Sequence, residues 1–210
     1  MRKIDNNFKF ERDNPNYDYE FASNNEWLDV HINLLFNELR DIQTAIYIFN
    51  IVDKEWNKRV HDKDVPEYST VRTTLYESLV YRVVLGLNKI FADSKEYSLF
   101  KATNQVEQLF RSNKEILNTI QEIRYKLDNS VMVRLIRIYR DKFFAHLDKK
   151  SAMSYVRVDP TSVMNHIDKK ELEEWLCLMR KLYLECFSKE LPSESVMPSK
   201  EEVVYTFFWR

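Results

Sequence analysis

EWLDVHINLLFNELRDIQTAIYIF, residues 26–49, decides the fold. Leu28, Ile32, Leu35, Leu39, Ile42, Ile46 and Phe49 recur at spacings of four and three, the seam of a helix packed lengthwise on its neighbours. Ser23 and Glu26 form a capping box ahead of it, and the pattern fades around Trp56 to Val60. Working outward, His61 to Pro66 is a polar connection. A second helix is expected from about Ser69 to Ala92, on Leu75, Leu79, Val83, Leu87, Ile90 and Phe91. Residues 97–110 form a shorter helical piece. Ser112 with Glu115 opens a further helix carrying Ile116, Ile120, Ile123 and Leu127. Asp128-Asn129-Ser130 breaks and recaps the chain, and another helix follows. Asp168 with Glu171 caps the last long helix, with Leu172, Trp175, Leu176, Met179, Leu182, Tyr183 and Cys186 as its apolar positions.

The expected fold class is therefore all-α: an up-and-down bundle of four to five long helices. Residues 1–22 are expected to be an irregular N-terminal arm, 23–190 the helical bundle, and 191–210 a C-terminal tail. One glycine and five prolines in 210 residues leave little material for hairpins or phosphate-binding glycine loops. The single glycine, Gly86, falls mid-helix, where a close helix crossing explains it. Residues 151–165 lose the helical period, so an extended loop is expected there. Val203 to Trp209 reads as a strand that pairs with 155–158, or as an apolar patch for a second subunit.

Composition limits function. The net charge of −1 disfavours broad, non-specific nucleic-acid binding, so any such contact must be local. MRKIDNNFKFERDN lacks the apolar run of a signal peptide, and no stretch approaches the ~20 apolar residues of a membrane span. The expectation is a cytoplasmic protein without a membrane segment. Cys177 and Cys186 lie half a turn out of phase and about 13 Å apart on one helix, which excludes a bridge between them. They read as small, half-buried hydrophobes. His31, His61 and His166 have no partners at metal-ligand spacing, so neither a metal nor another cofactor is expected. Glu77 reads as solvent-exposed.

The stretch with chemistry is Tyr139-Arg140-Asp141-Lys142-Phe143-Phe144-Ala145-His146-Leu147-Asp148. Arginine supplies a permanent, forked charge suited to phosphate, and histidine gives and takes protons near neutral pH. At 100° per residue, Met132, Leu135, Ile136, Tyr139, Phe143 and Leu147 share the core face. Arg140 and His146 fall about 120° apart on its two edges and about 9 Å apart along the axis. One straight helix cannot aim both at one phosphate. Either the helix is distorted near Arg140, or two chains share the site across a twofold axis. Arg134, Arg137, Lys142, Lys149 and Lys150 add local positive charge suited to an RNA backbone, and Tyr139 is either core or a base-stacking ring.

The run Arg140 to Asp148 resembles the signature of the HEPN superfamily (higher eukaryotes and prokaryotes nucleotide-binding). It is most similar to the bacterial branch associated with abortive infection. Leu85–Phe91, Asp93, Leu99 and residues 104–110 also look like that branch, and the resemblance spans residues 25–190. It implies a helical bundle that dimerises and brings two motifs into one cleft, and a metal-independent endoribonuclease of a phage-defence or toxin–antitoxin system. By residue match, Arg140, His146 and Asp141 take the catalytic positions, with Arg137, Lys142, Lys149 and Tyr139 on the RNA. His146 would take the 2′-hydroxyl proton, the second chain's histidine would protonate the leaving oxygen, and the product would be a 2′,3′-cyclic phosphate. An antitoxin protein is an implied partner. Asp148 stands where some toxin members carry a tyrosine that the antitoxin modifies, which argues against that mode of regulation. Two other readings remain: a non-catalytic protein- or nucleotide-binding module using the arm and tail, and a structural nucleic-acid-binding bundle.

Overall fold

A computed structural model describes residues 24–63, 70–91, 98–140, 160–191 and 197–208. The N-terminal arm, Ser23 of the expected capping box and the expected strand at 155–158 lie outside the described residues. The described residues are helical and contain no strand. In chain order the helices are α1 (Asn24–His61), α2 (Thr70–Phe91), α3 (Leu99–Leu109), α4 (Lys114–Asn129), α5 (Val131–Tyr139), α6 (Pro160–Asn165), α7 (Lys169–Phe187) and α8 (Lys200–Phe208).

The seam on α1 is buried along its whole length, from Leu28 to Phe49, and burial continues to Val52 and Trp56. The helix ends at His61, one residue past the expected range of Trp56 to Val60. Trp56 packs against Phe208 with ring centroids 5.8 Å apart and planes tilted by 51°, and Arg59 lies 4.8 Å over the Phe208 ring. Each buried Leu, Ile or Phe contributes on the order of 2 kcal/mol, which explains why a polar-looking end stays wound once it has a partner.

Contacts between helices fix their directions. Between α1 and α2, Arg82 pairs with Glu38, Tyr76 Oη donates to Asp53 Oδ1 at 2.9 Å, and Arg72 Nη2 donates to Asn57 Oδ1 at 3.2 Å. Rising numbers on α1 meet falling numbers on α2, so the pair is antiparallel. The same holds for α1 and α7, where Tyr183 Oη donates to Asp29 Oδ1 at 2.6 Å and Arg180 covers Phe36 at 5.2 Å. It holds again for α4 and α7, through Thr119–Glu185 at 3.1 Å, Lys181–Glu122 at 3.1 Å and Lys126–Glu174 at 2.5 Å. Helix α3 packs on both α1 and α4, while α5 and α6 both pack on α2.

Gly86 is the close crossing that the sequence implied. A Cβ there would meet Ile42 Cδ1 at 2.8 Å and Glu38 Oε1 at 2.9 Å. On the first half of α2 the buried face is Tyr76 and Val80, with Leu75 and Leu79 only half-buried, so the expected stripe is displaced by one position.

Four other expectations need correction. Helix α4 is capped by Asn113 rather than Ser112, because the Asn113 side chain accepts from the backbone N–H groups of Glu115 and Ile116. Residues 160–165 are helical, not extended. The tail is a helix, not a strand. Ser199 Oγ accepts from Glu202 N at 3.0 Å, Glu201 and Glu202 suit the positive end of the helix dipole, and Val203 is buried. Cys177 is exposed rather than half-buried, Cys186 is intermediate, and both are free thiols. Glu77 is exposed, as expected. Among the described residues, no helix is long and apolar enough to cross a membrane.

Candidate functional site around the end of the motif helix

Helix α5 starts where the sequence recaps. Ser130 Oγ accepts from Val133 N at 2.9 Å and donates to Glu171 Oε1 at 2.5 Å, so the cap also ties α5 to α7. Trp175 Nε1 donates to the same carboxylate oxygen at 3.1 Å. Met132, Val133 and Ile136 are buried against the core, whereas Leu135 and Tyr139 are half-buried. The core face is thus rotated slightly toward Val133 from the expected one. Arg134, Arg137 and Arg140 are exposed.

Arg137 has a structural partner. Its Nη2 lies 3.5 Å from the carbonyl oxygen of Phe91, the last residue of α2. A cation at that end favours both the unpaired carbonyls and the negative pole of the helix. Arg140 keeps right-handed helical backbone (φ −57°, ψ −50°), and its N–H bonds to the carbonyls of Ile136 and Arg137. Asp141, Lys142, His146, Lys149 and Lys150 lie outside the described residues.

The structure adds a residue that sequence reasoning passed over. His166 follows α6, and its Nδ1 is 2.8 Å from Tyr139 Oη, with the two rings 6.0 Å apart. Burial raises the pKa of the Tyr139 phenol, which keeps it protonated. The backbone under His166 is held by bonds from His166 N to Val163 O at 3.1 Å and from Ile167 N to Met164 O at 3.2 Å. Val163, Met164 and Ile167 are buried, and the imidazole itself is exposed. Tyr139 and His166 are 27 positions apart, and no periodic signal in the sequence links them. The pair forms because α5 and α6 dock on the same helix, α2.

The other described histidine of interest is not part of this site. His31 is 1% exposed, packed edge-on against Trp27 with ring centroids 4.4 Å apart. Its pKa falls to about 4, mainly through burial and secondarily through Lys101. Among the described residues, no three His, Cys, Asp or Glu side chains converge on a possible metal position. A surface cleft between α4 and α7, lined by Tyr125, Lys126, Glu174 and Cys177, contains the Lys126–Glu174 ion pair. No family model matches the chain, nor does any curated protein or solved structure.

Proposed function

We propose that the chain is a HEPN-type, metal-independent RNA endonuclease of a phage-defence or toxin–antitoxin system, working in the cytoplasm as a homodimer. The observation that carries this reading is the run from Arg140 to Asp148, with its arginine, acid and histidine. Three antiparallel helix pairs, α1–α2, α1–α7 and α4–α7, support an up-and-down bundle of four long helices beneath the motif. Arg140 is exposed at the end of α5, where a phosphate can reach its guanidinium, which supports the reading.

In this mechanism His146 takes the proton from a ribose 2′-hydroxyl as its oxygen attacks the adjacent phosphorus. Arg140 pairs with the non-bridging oxygens as negative charge builds on them, an effect worth about 3 kcal/mol in a preorganised site. Asp141 orients one of these groups, and Arg137, Lys142, Lys149 and Tyr139 hold the RNA. A twofold axis brings the motif of a second copy into the same cleft, and an antitoxin protein restrains the activity in the cell.

The test is incubation of the purified protein with total RNA in EDTA, beside His146→Ala, with mapping of the fragment ends. Cleavage by the parent alone, leaving 2′,3′-cyclic phosphates, is the expected result. The substitution should lower the rate by at least ~10²-fold while leaving the helical circular dichroism unchanged. Equal cleavage by both proteins would refute the assignment of His146. No cleavage by either would favour the non-catalytic binding module.

A further inference from the structure

Cleavage of RNA by its own 2′-hydroxyl moves two protons. One leaves O2′ as the O2′–P bond forms, and one must reach O5′ as the P–O5′ bond breaks. The second needs an acid, a role that the family resemblance gives to the second copy's histidine and for which this chain holds another candidate. An imidazole already stands beside the motif helix in the same chain: His166 Nδ1 is 2.8 Å from the hydroxyl of Tyr139, the residue immediately before Arg140.

We propose that His166 is the general acid of the ribonuclease site, held at Nδ1 by Tyr139 and delivering a proton from Nε2 to the leaving 5′-oxygen. This rests on the ribonuclease reading and deepens it by naming a source for the second proton.

Three features of the pair suit the role. With Nδ1 engaged by the hydroxyl, Nε2 is the nitrogen left to exchange a proton with a substrate. The hydroxyl accepts from Nδ1–H while the ring is charged and can donate to a bare Nδ1 when it is neutral, so the contact survives either state of the ring. Burial also raises the phenol's pKa, so Tyr139 does not itself ionise during the cycle. The ring is both reachable and firmly based. It is exposed, yet buried Val163, Met164 and Ile167 anchor the backbone around it. Finally, Arg137 and Arg140 lie three residues apart on the same helix, which puts two permanent charges on neighbouring turns beside Tyr139.

The step balances without any further reagent. The base takes the O2′ proton, the O2′–P bond forms and the P–O5′ bond breaks. O5′ receives the Nε2 proton and the imidazolium becomes imidazole. The products are a 2′,3′-cyclic phosphate and a 5′-hydroxyl.

A Tyr–His contact can also simply tie α6 to α5, so the test must read protonation of the leaving group and not stability. The parent, His166→Ala, His166→Gln and Tyr139→Phe are compared on an RNA that the parent cleaves and on the same RNA carrying sulfur in place of O5′ at the cut. A thiolate leaves without needing a proton. Both His166 variants should lose on the order of 10²-fold or more on the oxygen substrate and return to within a few-fold of the parent on the sulfur substrate. Tyr139→Phe should show a smaller loss with the same recovery. His166→Gln retains size and polarity, and circular dichroism verifies that each variant is folded. Equal losses on both substrates, or no loss on either, would overturn the proposal and leave the ribonuclease reading standing. If the parent cleaves neither substrate nor any other RNA, both are overturned.

Discussion

Gly86 sits where α2 passes closest to α1, and an alanine there sets two effects against each other. In an exposed mid-helix position glycine to alanine stabilises by about 1 kcal/mol, because the backbone loses less freedom on folding. Here the new methyl would meet Ile42 Cδ1 at 2.8 Å, Glu38 Oε1 at 2.9 Å and Ile42 Cγ1 at 3.1 Å. Ile42 is fully buried, and Arg82 holds Glu38, so neither side chain can swing clear without disturbing its own contacts. Overpacking of this kind costs about 1–3 kcal/mol. The cost exceeds the gain, and Gly86→Ala should destabilise by about 1 kcal/mol net. Urea unfolding followed by circular dichroism, at one fixed protein concentration, measures this. With a slope of about 2.5 kcal/mol/M the midpoint should fall by about 0.4 M. The double mutant isolates the cause. Ile42→Val removes Cδ1 and costs about 1 kcal/mol alone, yet combined with Gly86→Ala it should recover most of the alanine penalty, a coupling of about 1 kcal/mol. A Gly86→Ala protein as stable as the parent, or a strictly additive pair, would refute the close crossing.

Two further predictions concern buried polar groups. His31 has a folded-state pKa of about 4 against 6.5 when unfolded, so below pH 6.5 the unfolded chain takes up a proton that the folded chain refuses. Its contribution is therefore complete above pH 6.5 and is lost as pH falls toward 4, by about 3 kcal/mol at most. Urea midpoints across that window should show this slope in the parent, and His31→Gln should flatten it. Ser130→Ala removes the cap of α5 and the bond to Glu171 together and should cost about 2 kcal/mol. A loss below 0.5 kcal/mol in the same assay would mean that the cap is dispensable (a threshold set by the low end of measured caps, ~0.5).

The all-helical class was legible because residues 26–49 state a period with no competing signal, and every seam residue from Leu28 to Phe49 is buried. Ile116, Ile120, Ile123 and Leu127 were equally plain. Boundaries were harder, for local reasons. Ser112 and Asn113 are adjacent polar residues, and the spacing to Glu115 favoured the wrong one. Val203 to Trp209 is rich in β-branched and aromatic residues, whose preference for strands is weak beside a capped start at Ser199 and a docking surface on α1. In the candidate site, the sequence singled out Tyr139 and Arg140 but not His166. Proximity of His166 to Tyr139 depends on two short helices sharing a third, which no local pattern encodes.

The length of α1 has a consequence for how the molecule opens. Its 38 residues extend about 57 Å and touch α2, α3, α7 and α8, so α1 cannot unwind without dissolving most of the core. Its central amides should therefore exchange hydrogen only through global unfolding. The shorter α5 and α6 dock chiefly on α2, and a smaller opening can release them. Helices α5 and α6 are thus the elements that can open while the long helices remain closed, and under the ribonuclease proposal a bound oligonucleotide should register first as slowed exchange in their amides.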